Sequence, residues 1–184
     1  ERLVRTTMVL HLPTERKPRT VPKRSEHPLR FSDVADAYID LLDQWQDGTV
    51  APEKAPIPED ALDLTQQMKA ASYFMDAAMV GACEIPEVAW FTETESGETV
   101  TPYHHNALVI VVEHVREPEL DNLASEWLRD AQSERAAVRA AEIAVTIAGY
   151  IRHLGWHAKS HSANKSDLDH ELLTVCSGLG RWQN

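Results

Sequence analysis

A long, predominantly apolar segment in the last third of the chain constrains most strongly what this sequence can fold into. Residues 133–158, SERAAVRAAEIAVTIAGYIRHLGWHA, predict one helix that begins near Ser133 and ends before Gly155. Glycine is the residue most often found just after the last turn of a helix. Because a helix that is apolar on nearly all sides must be buried on several of them, we expect it to lie inside a larger body of helices and sheet.

Weaker patterns predict the elements around this helix. Helices are expected at residues 31–46, 62–75 and 118–128, with a short one within 164–177. The first of these should bury an apolar stripe formed by Val34, Ala37, Tyr38, Leu41, Leu42 and Trp45. Strands are expected at residues 79–85, at 89–94 as an edge strand, and at 107–113. The last, ALVIVVE, is apolar and β-branched, which is typical of a central strand covered on both faces.

Length and charge limit the organisation and the partners. The chain of 184 residues suits one domain with a sizeable core. Its net charge of −11 is uneven, because residues 1–30 hold eight basic and three acidic residues, leaving ten basic and 26 acidic for the rest. Such an acidic body argues against nucleic acid as a partner.

The first 30 residues form the most distinct segment of the sequence. They are Pro-rich and have no helical period, so we predict an extended basic arm that lies across an acidic surface of its own body or of a partner; a solvated arm is the alternative. No apolar run reaches the ~20 residues of a transmembrane helix, and we expect a cytoplasmic location. Because the chain begins at Glu1 and stops soon after a glycine motif, we expect a processed chain or a piece of a longer one.

Candidate ligands for metals are few and poorly spaced. Cys83 and Cys176 lie in apolar surroundings, and two cysteines are too few for an iron–sulfur cluster, which takes four protein ligands. His153, His157 and His161 stand four apart, but the glycine that ends the long helix interrupts their spacing. We therefore predict no metal site and no catalytic residue in this segment.

Two further polar groups allow a packing interpretation as well as a functional one. His104 and His105 are adjacent in an extended segment and point to opposite faces, so that they chelate poorly; one of them faces a cleft, or both lie in a loop. The carboxylates of Asp167, Asp169 and Glu171 precede the last predicted helix, where they complement the helix dipole.

Three segments of the sequence, taken in order, carry a resemblance to a known family. They are residues 68–85, MKAASYFMDAAMVGACEI, residues 107–114, and residues 140–158, with Ala-Glu-Ile-Ala at 141–144 and Tyr-Ile-Arg-x-Leu-Gly-Trp at 150–156; residues 177–181, SGLGR, follow them. Together they resemble the corrinoid-binding domain of reductive dehalogenases and, more distantly, epoxyqueuosine reductase. The first segment is similar to the helix-to-strand step of that family, the second to its apolar strand, and SGLGR to its glycine loop, while residues 140–158 are the most specific match.

The resemblance implies a fold, a cofactor and an activity. The fold would be α+β, a nitroreductase-like α/β/α sandwich with a mostly antiparallel sheet over residues 31–184, preceded by the arm. In the family the domain holds cobalamin without its lower base ligand, the cobalt reductively removes halide from an organohalide, and two iron–sulfur clusters in a following region supply electrons. Carried over to this sequence, the cobalamin contacts would be His157, His161, Ser177, Gly178 and Gly180.

Departures from the family pattern shape the functional expectation. The glycine loop lacks the Glu-Leu pair at its centre, the tyrosine before the long helix is missing, and the cysteine motif of the clusters is absent. We therefore predict the N-terminal segment, or a pseudo-repeat copy, of a reductive dehalogenase that is mainly structural. Its partners would be the remainder of the same polypeptide or a second copy of the domain. The alternative is an interaction or dimerisation module without cofactor; a flavin nitroreductase is disfavoured because no basic phosphate-binding cluster is present.

Overall fold

Helices and a small sheet make up the part of the chain that the structure, a computed structural model, describes: residues 31–114, 119, 125–128 and 131–181. The predicted arm and most of the predicted helix at 118–128 lie outside these residues. The helices are α1 (Ser32–Asp43), α2 (Ala61–Phe74), α3 (Ser125–Leu128), α4 (Ala131–His153) and α5 (His170–Cys176), and the strands are β1 (Met79–Glu84) and β2 (Asn106–Val111). The mixture of helices and an antiparallel sheet confirms the α+β class.

Helix α4 is the central element, as its sequence predicts. It runs for 23 residues, starts two residues before the expected position, and ends before Gly155, whose φ is +89°. Ile143 and Ile147 pack against Ala77 and Val80, at the start of β1. Other residues of α4 contact α1, α2, α3 and β2. The expectation that this helix is covered on several sides is therefore confirmed.

Strand β2 carries core residues on both faces. It pairs antiparallel with β1, from Met79 opposite Val111 to Glu84 opposite Asn106. Leu108 and Ile110 pack toward α4. Ala107 and Val109 point the other way, into a second cluster formed by Ala89, Trp90, Leu168, Leu172 and Leu173. The alternation explains why the sequence of β2 is apolar at nearly every position.

The predicted edge strand at residues 89–94 is wrong. A 3₁₀ turn occupies Glu87–Ala89, and the following residues make only single bridges, Trp90 with Leu168 and Glu93 with Thr99. The apolar pair Trp90–Phe91 produced the strand-like pattern. Trp90 is 6% exposed and serves as a core anchor rather than as part of a ladder. A short apolar run that is buried by tertiary contacts has the same sequence pattern as a buried strand.

Helix α1 turns its more polar side toward α4, which contradicts the predicted stripe. Its exposed residues form an apolar row, Phe31, Val34, Tyr38, Leu41 and Trp45, each 43–57% exposed. Its buried side consists of Ser32, Ala35, Ile39 and Asp43, followed by Gln46. The small residues of this side allow close approach to α4. Gln46 donates hydrogen bonds of 2.9 Å to the Asp43 carboxylate and to the Lys165 carbonyl, so that these two buried side chains have partners, whereas the buried Ser32 hydroxyl has none among the described residues.

The orientation of α1 is testable with neighbouring residues. Ile39 is fully buried, and Ile39→Ala should lower the free energy of unfolding by about 2–4 kcal/mol because it leaves a cavity against α4. Tyr38→Ala, at the exposed side, should change it by no more than ~0.5 kcal/mol. Urea denaturation followed by circular dichroism measures both. A larger loss for Tyr38→Ala than for Ile39→Ala would show that α1 is turned the other way.

Candidate functional site

A groove of about 350 Å³ lies between α4 and α5 with β2 at its floor. The α4 wall is apolar and consists of Ala140, Ala144, Ile147, Ala148 and Ile151. The opposite end is polar and is lined by His104, His157, Lys159, His161 and His170. An apolar concavity with a few convergent polar groups is the usual form of a ligand or partner site.

A hydrogen-bonded cluster stands beside the polar end of the groove. The Tyr103 hydroxyl donates to Asp167 Oδ2 over 2.7 Å, and Lys159 Nζ lies 2.6 Å from the same oxygen. The Asp167 backbone N–H donates to His161 Nδ1 over 3.3 Å, while His161 Nε2 lies 3.2 Å from Tyr103 Oη. Since Nδ1 accepts, the proton of a neutral His161 is on Nε2, which donates to the tyrosine oxygen. We call these four residues the Tyr103 cluster.

The charges of the Tyr103 cluster follow from its burial and its bonds. Desolvation raises the pKa of Tyr103, and the hydrogen bond to the ionised Asp167 raises it further. Desolvation opposes ionisation of Asp167, but hydrogen bonds from Lys159 and Tyr103 outweigh it and lower the pKa of this carboxyl. Desolvation, together with the nearby His170 and Lys159, lowers the pKa of His161 to about 3. At neutral pH the cluster thus combines a carboxylate with a neutral phenol and a neutral imidazole.

A second pair of imidazoles stands next to this cluster. His157 Nδ1 lies 3.1 Å from His104 Nε2, and His157 Nε2 lies 3.7 Å from Asp47 Oδ1. Desolvation and the neighbouring His157 lower the pKa of His104. His157 and His161 therefore have different partners, and within residues 31–114 and 131–181 no three potential ligands stand together as a metal site would require. The predicted absence of a metal site remains a prediction.

The predicted cofactor contacts fall in two separate places. His157 and His161 line the groove, whereas Ser177, Gly178 and Gly180 do not. Gly178, with φ +77°, ends α5: the Leu179 N–H donates to the Thr174 carbonyl over 3.0 Å, as in a Schellman turn. Ser177 packs over Gly81 of β1, where an added Cβ would come within 2.7 Å of the Ser177 Cβ. These three residues close a helix against the sheet, and their role toward a cofactor stays a prediction.

Sequence reasoning missed most of the Tyr103 cluster. Tyr103 and Lys159 were not singled out, and the prediction that Asp167 serves a helix dipole is wrong, because its carboxylate bonds to these two side chains. Asp169 instead caps α5 by accepting from the Leu172 N–H over 2.9 Å. The expectation that one of the two adjacent histidines faces a cleft is confirmed for His104. The cluster joins residues about 60 positions apart, so no local spacing indicates it.

The low pKa of His161 predicts how stability depends on pH. The unfolded chain binds a proton at this residue below pH ~6.5, whereas the folded chain does so only near pH 3. Acid therefore favours the unfolded state, and stability is lost as the pH falls from 6.5 toward 3. Between pH 6.5 and 5, we expect the free energy of unfolding of the native sequence to fall by about 1 kcal/mol more than that of the His161→Gln variant. This figure is reduced because the imidazole ring is partly exposed. Urea denaturation at pH 7, 6 and 5 measures this, and an unchanged pH dependence would contradict it.

Comparisons with known proteins give one consistent result. No protein-family model and no curated protein matches the chain. Solved structures do: the catabolic reductive dehalogenase NpRdhA is 31% identical with a TM-score of 0.70 over 92% of this chain. A structure of the same enzyme in complex with 3-bromo-4-hydroxybenzoic acid is 32% identical with the same TM-score. A third, a reductive dehalogenase structure that suggests a mechanism for B12-dependent dehalogenation, is 32% identical with a TM-score of 0.72 over 95% of this chain.

The matches cover most of this chain but only a small part of each relative. The chain spans only 22–24% of the length of these relatives. Among the described residues, no helix has the length and hydropathy of a membrane span. The sequence identity, the TM-scores and the near-complete coverage of this chain all indicate the same fold. The chain therefore has a cobalamin-dependent reductive dehalogenase-like fold over the length of one segment of such a protein, which confirms the resemblance carried by its motifs.

Proposed function

We propose that this chain is a mainly structural segment, the N-terminal part or a pseudo-repeat copy, of a cobalamin- and iron–sulfur-dependent reductive dehalogenase. The observation that carries the proposal is the match over about nine tenths of this chain to less than a quarter of the solved relatives. The whole protein would remove halide from an organohalide. Its iron–sulfur clusters would lie in a following region, since Cys83 and Cys176 alone are too few to hold one.

The groove does not fit a whole cobalamin. Its volume of about 350 Å³ is near the lower end of the ~300–1,000 Å³ typical of pockets for drug-sized ligands. A corrin macrocycle with its side chains is larger than such a ligand. His157 and His161 could contact one edge of it, while Ser177, Gly178 and Gly180 lie apart. The described residues therefore do not enclose the cofactor, and we assign the chemistry to other parts of the protein.

The incomplete sheet supports the same proposal. A nitroreductase-like sandwich needs a multi-stranded sheet between helical layers, whereas β1 and β2 form a two-stranded sheet within the described residues. Helices already cover both faces of β2, so that two of the three layers and part of the third are in place. We propose that further strands of the longer protein complete the sandwich. The arm of residues 1–30 and the cytoplasmic location remain predictions.

Cofactor uptake tests the structural role. When hydroxocobalamin is titrated into the purified chain and followed by visible absorption and equilibrium dialysis, we expect no binding tighter than ~100 µM. The matched control is the longer polypeptide, which should take up the cofactor under the same conditions. Stoichiometric uptake by the 184-residue chain alone would show that it holds a complete corrinoid site, and would overturn the scaffold role.

A second candidate function is the cofactor-free interaction module. The exposed row of Phe31, Val34, Tyr38, Leu41 and Trp45 favours it, since contiguous exposed apolar residues mark interaction surfaces. In this case the chain should self-associate in sedimentation experiments, and Tyr38→Lys should disperse it. A monomer at all concentrations would remove this candidate.

A further inference from the structure

The two cysteines of the sequence lie on elements that contact each other, β1 and α5. Cys83 is near the end of β1 and is partly buried, whereas Cys176 is the last residue of α5 and is exposed. Both are free thiols in the structure. The packing of α5 on β1 therefore decides how close the two sulfur atoms come.

The last turn of α5 lies over the face of β1 that carries the Cys83 side chain. Gly81 and Cys83 are two positions apart in the strand, so that they face the same way. A Cβ added at Gly81 would come within 2.7 Å of the Ser177 Cβ. Cys83 itself packs against the buried cluster that contains Leu173. The end of α5 and the Cys83 side chain thus share one side of the sheet.

The Cys83 sulfur reaches the turn of α5 that contains Cys176. Cys83 Sγ lies 3.9 Å from the Leu173 carbonyl oxygen. A carbonyl of an α-helix lies beside the residues three and four positions later, and here the Ser177 N–H donates to this same oxygen over 2.9 Å. Cys176 is the residue three positions after Leu173. The two cysteines therefore stand on either side of one carbonyl group, in the corner between α5 and β1.

Exposure and charge give the two thiols different roles. Burial raises the pKa of the Cys83 thiol, and repulsion from the nearby Cys176 raises it further, so that Cys83 is mostly protonated at neutral pH. Cys176 is the more accessible of the two. Because the thiolate is the form that attacks a disulfide, and because it must be accessible to do so, Cys176 is the thiol that reacts first with a reagent from solution.

We propose that Cys176 and Cys83 form a two-thiol site that exchanges with low-molecular-weight disulfides of the glutathione class. The Cys176 thiolate attacks one sulfur of the reagent, the S–S bond of the reagent breaks, and one glutathione leaves as a thiol. Cys83 then gives up its proton and attacks the Cys176 sulfur, which forms the Cys83–Cys176 bond and releases the second glutathione. Two protein thiols are oxidised, and one glutathione disulfide is reduced to two thiols. The product ties α5, which contributes a wall of the groove, to β1.

Two serine variants test the order of these steps. When the native sequence is incubated with oxidised glutathione without denaturant or oxygen, it should lose both thiols, remain a monomer and retain no glutathione by mass spectrometry. Cys83→Ser should keep one glutathione on Cys176, because the second step is missing. Cys176→Ser should react at least ~10-fold more slowly, since its remaining thiol is partly buried. Equal reactivity of the two variants, or glutathione that stays bound to the native sequence, would overturn the proposal.

The native sequence alone tests whether the fold brings the two thiols together, so this experiment does not depend on how either variant folds. In concentrated urea the intervening chain separates the cysteines, and release of the second glutathione should be at least ~10-fold slower than in the folded chain. Equal rates in the folded and unfolded chain, or a disulfide that links two chains, would contradict the assignment. Neither experiment involves cobalamin or dehalogenation, so their outcome is independent of the proposed function.

Discussion

Replacing Arg152 by methionine should lower the free energy of unfolding by about 3 kcal/mol. Arg152 is only 7% exposed, yet its guanidinium contacts three backbone carbonyls rather than a carboxylate. Nη1 donates to the Gln46 and Ala158 carbonyls over 3.1 and 2.8 Å, and Nη2 lies 3.3 Å from the Trp45 carbonyl. The side chain thus joins the end of α1, the end of α4 and the segment that follows. Without it, all three carbonyls lose the guanidinium as a donor, and the Gln46 carbonyl keeps the Ser160 N–H at 2.9 Å.

Arg139 provides the control on the same helix. Its guanidinium pairs with Asp76 over 2.8 Å and with Glu142 over 2.7 Å and donates to the Met75 carbonyl over 2.7 Å, but its side chain is 32% exposed and Asp76 is 82% exposed. Surface ion pairs of this kind contribute ~0–1 kcal/mol, so Arg139→Met should have a small effect. Urea denaturation at neutral pH measures both variants. Equal losses for the two would mean that Arg152 does not hold the ends of α1 and α4 together.

Replacing Gly155 by alanine should lower the free energy of unfolding by about 3 kcal/mol, from two causes. Its φ of +89° is disfavoured for any residue with a Cβ, at a cost of ~1–2 kcal/mol. In addition, a Cβ at this position would lie 2.6 Å from the Glu53 carbonyl oxygen and 2.8 Å from the Lys54 Cα, which overpacks the site by ~1–3 kcal/mol.

A substitution at Gly178 distinguishes the cost of the positive φ from the cost of steric overlap. It also has a positive φ, +77°, but nothing lies within 4 Å of an added Cβ. Gly178→Ala should therefore cost only the backbone term, ~1–2 kcal/mol. Thermal and urea denaturation of the two variants measure the difference. If Gly178→Ala were as harmful as Gly155→Ala, the close approach of residues 53–54 to the end of α4 would be wrong.

The motif that carries the family resemblance is explained by packing. Ile151 joins the cluster around Ile143, Arg152 bonds the carbonyls at the end of α1, and Gly155 admits the backbone of residues 53–54. The Arg152 carbonyl accepts from the Ala51 N–H, and the Leu154 carbonyl from the Ala55 N–H, both over 3.0 Å. The Tyr-Ile-Arg-x-Leu-Gly sequence therefore specifies how the end of α4 docks. This is why it identifies the fold of the family and not a catalytic group.

Local periodicity predicted the elements whose burial is encoded in consecutive residues. Helix α4 was found because apolar residues predominate along its length, and strand β2 because nearly every one of its positions is apolar. The direction of α1 could not be predicted in this way, since its inner side is small and polar and its outer side is apolar. Which side of α1 is buried depends on the packing of Ala35 and Ile39 and on the hydrogen-bond partners of Gln46. The periodicity of apolar residues does not predict these contacts.

The candidate site was harder to predict than the fold. His157 and His161 were proposed from the family resemblance, and both line the groove. Their partners, His104 and Tyr103, come from the loop before β2, more than 50 residues away along the chain. Only tertiary contact brings these side chains together. Composition and spacing indicate that histidines are abundant here, but not which of them meet.

An experimental structure of the longer polypeptide with cobalamin bound tests the central claim most directly. We expect the corrinoid to lie mainly against residues outside this segment, to contact at most the His157–His161 end of the groove, and further strands of the longer polypeptide to extend the sheet beside β2. A corrinoid enclosed by α4, α5 and the Ser177–Gly180 turn, with β2 still at the edge of its sheet, would contradict the structural role assigned to this chain.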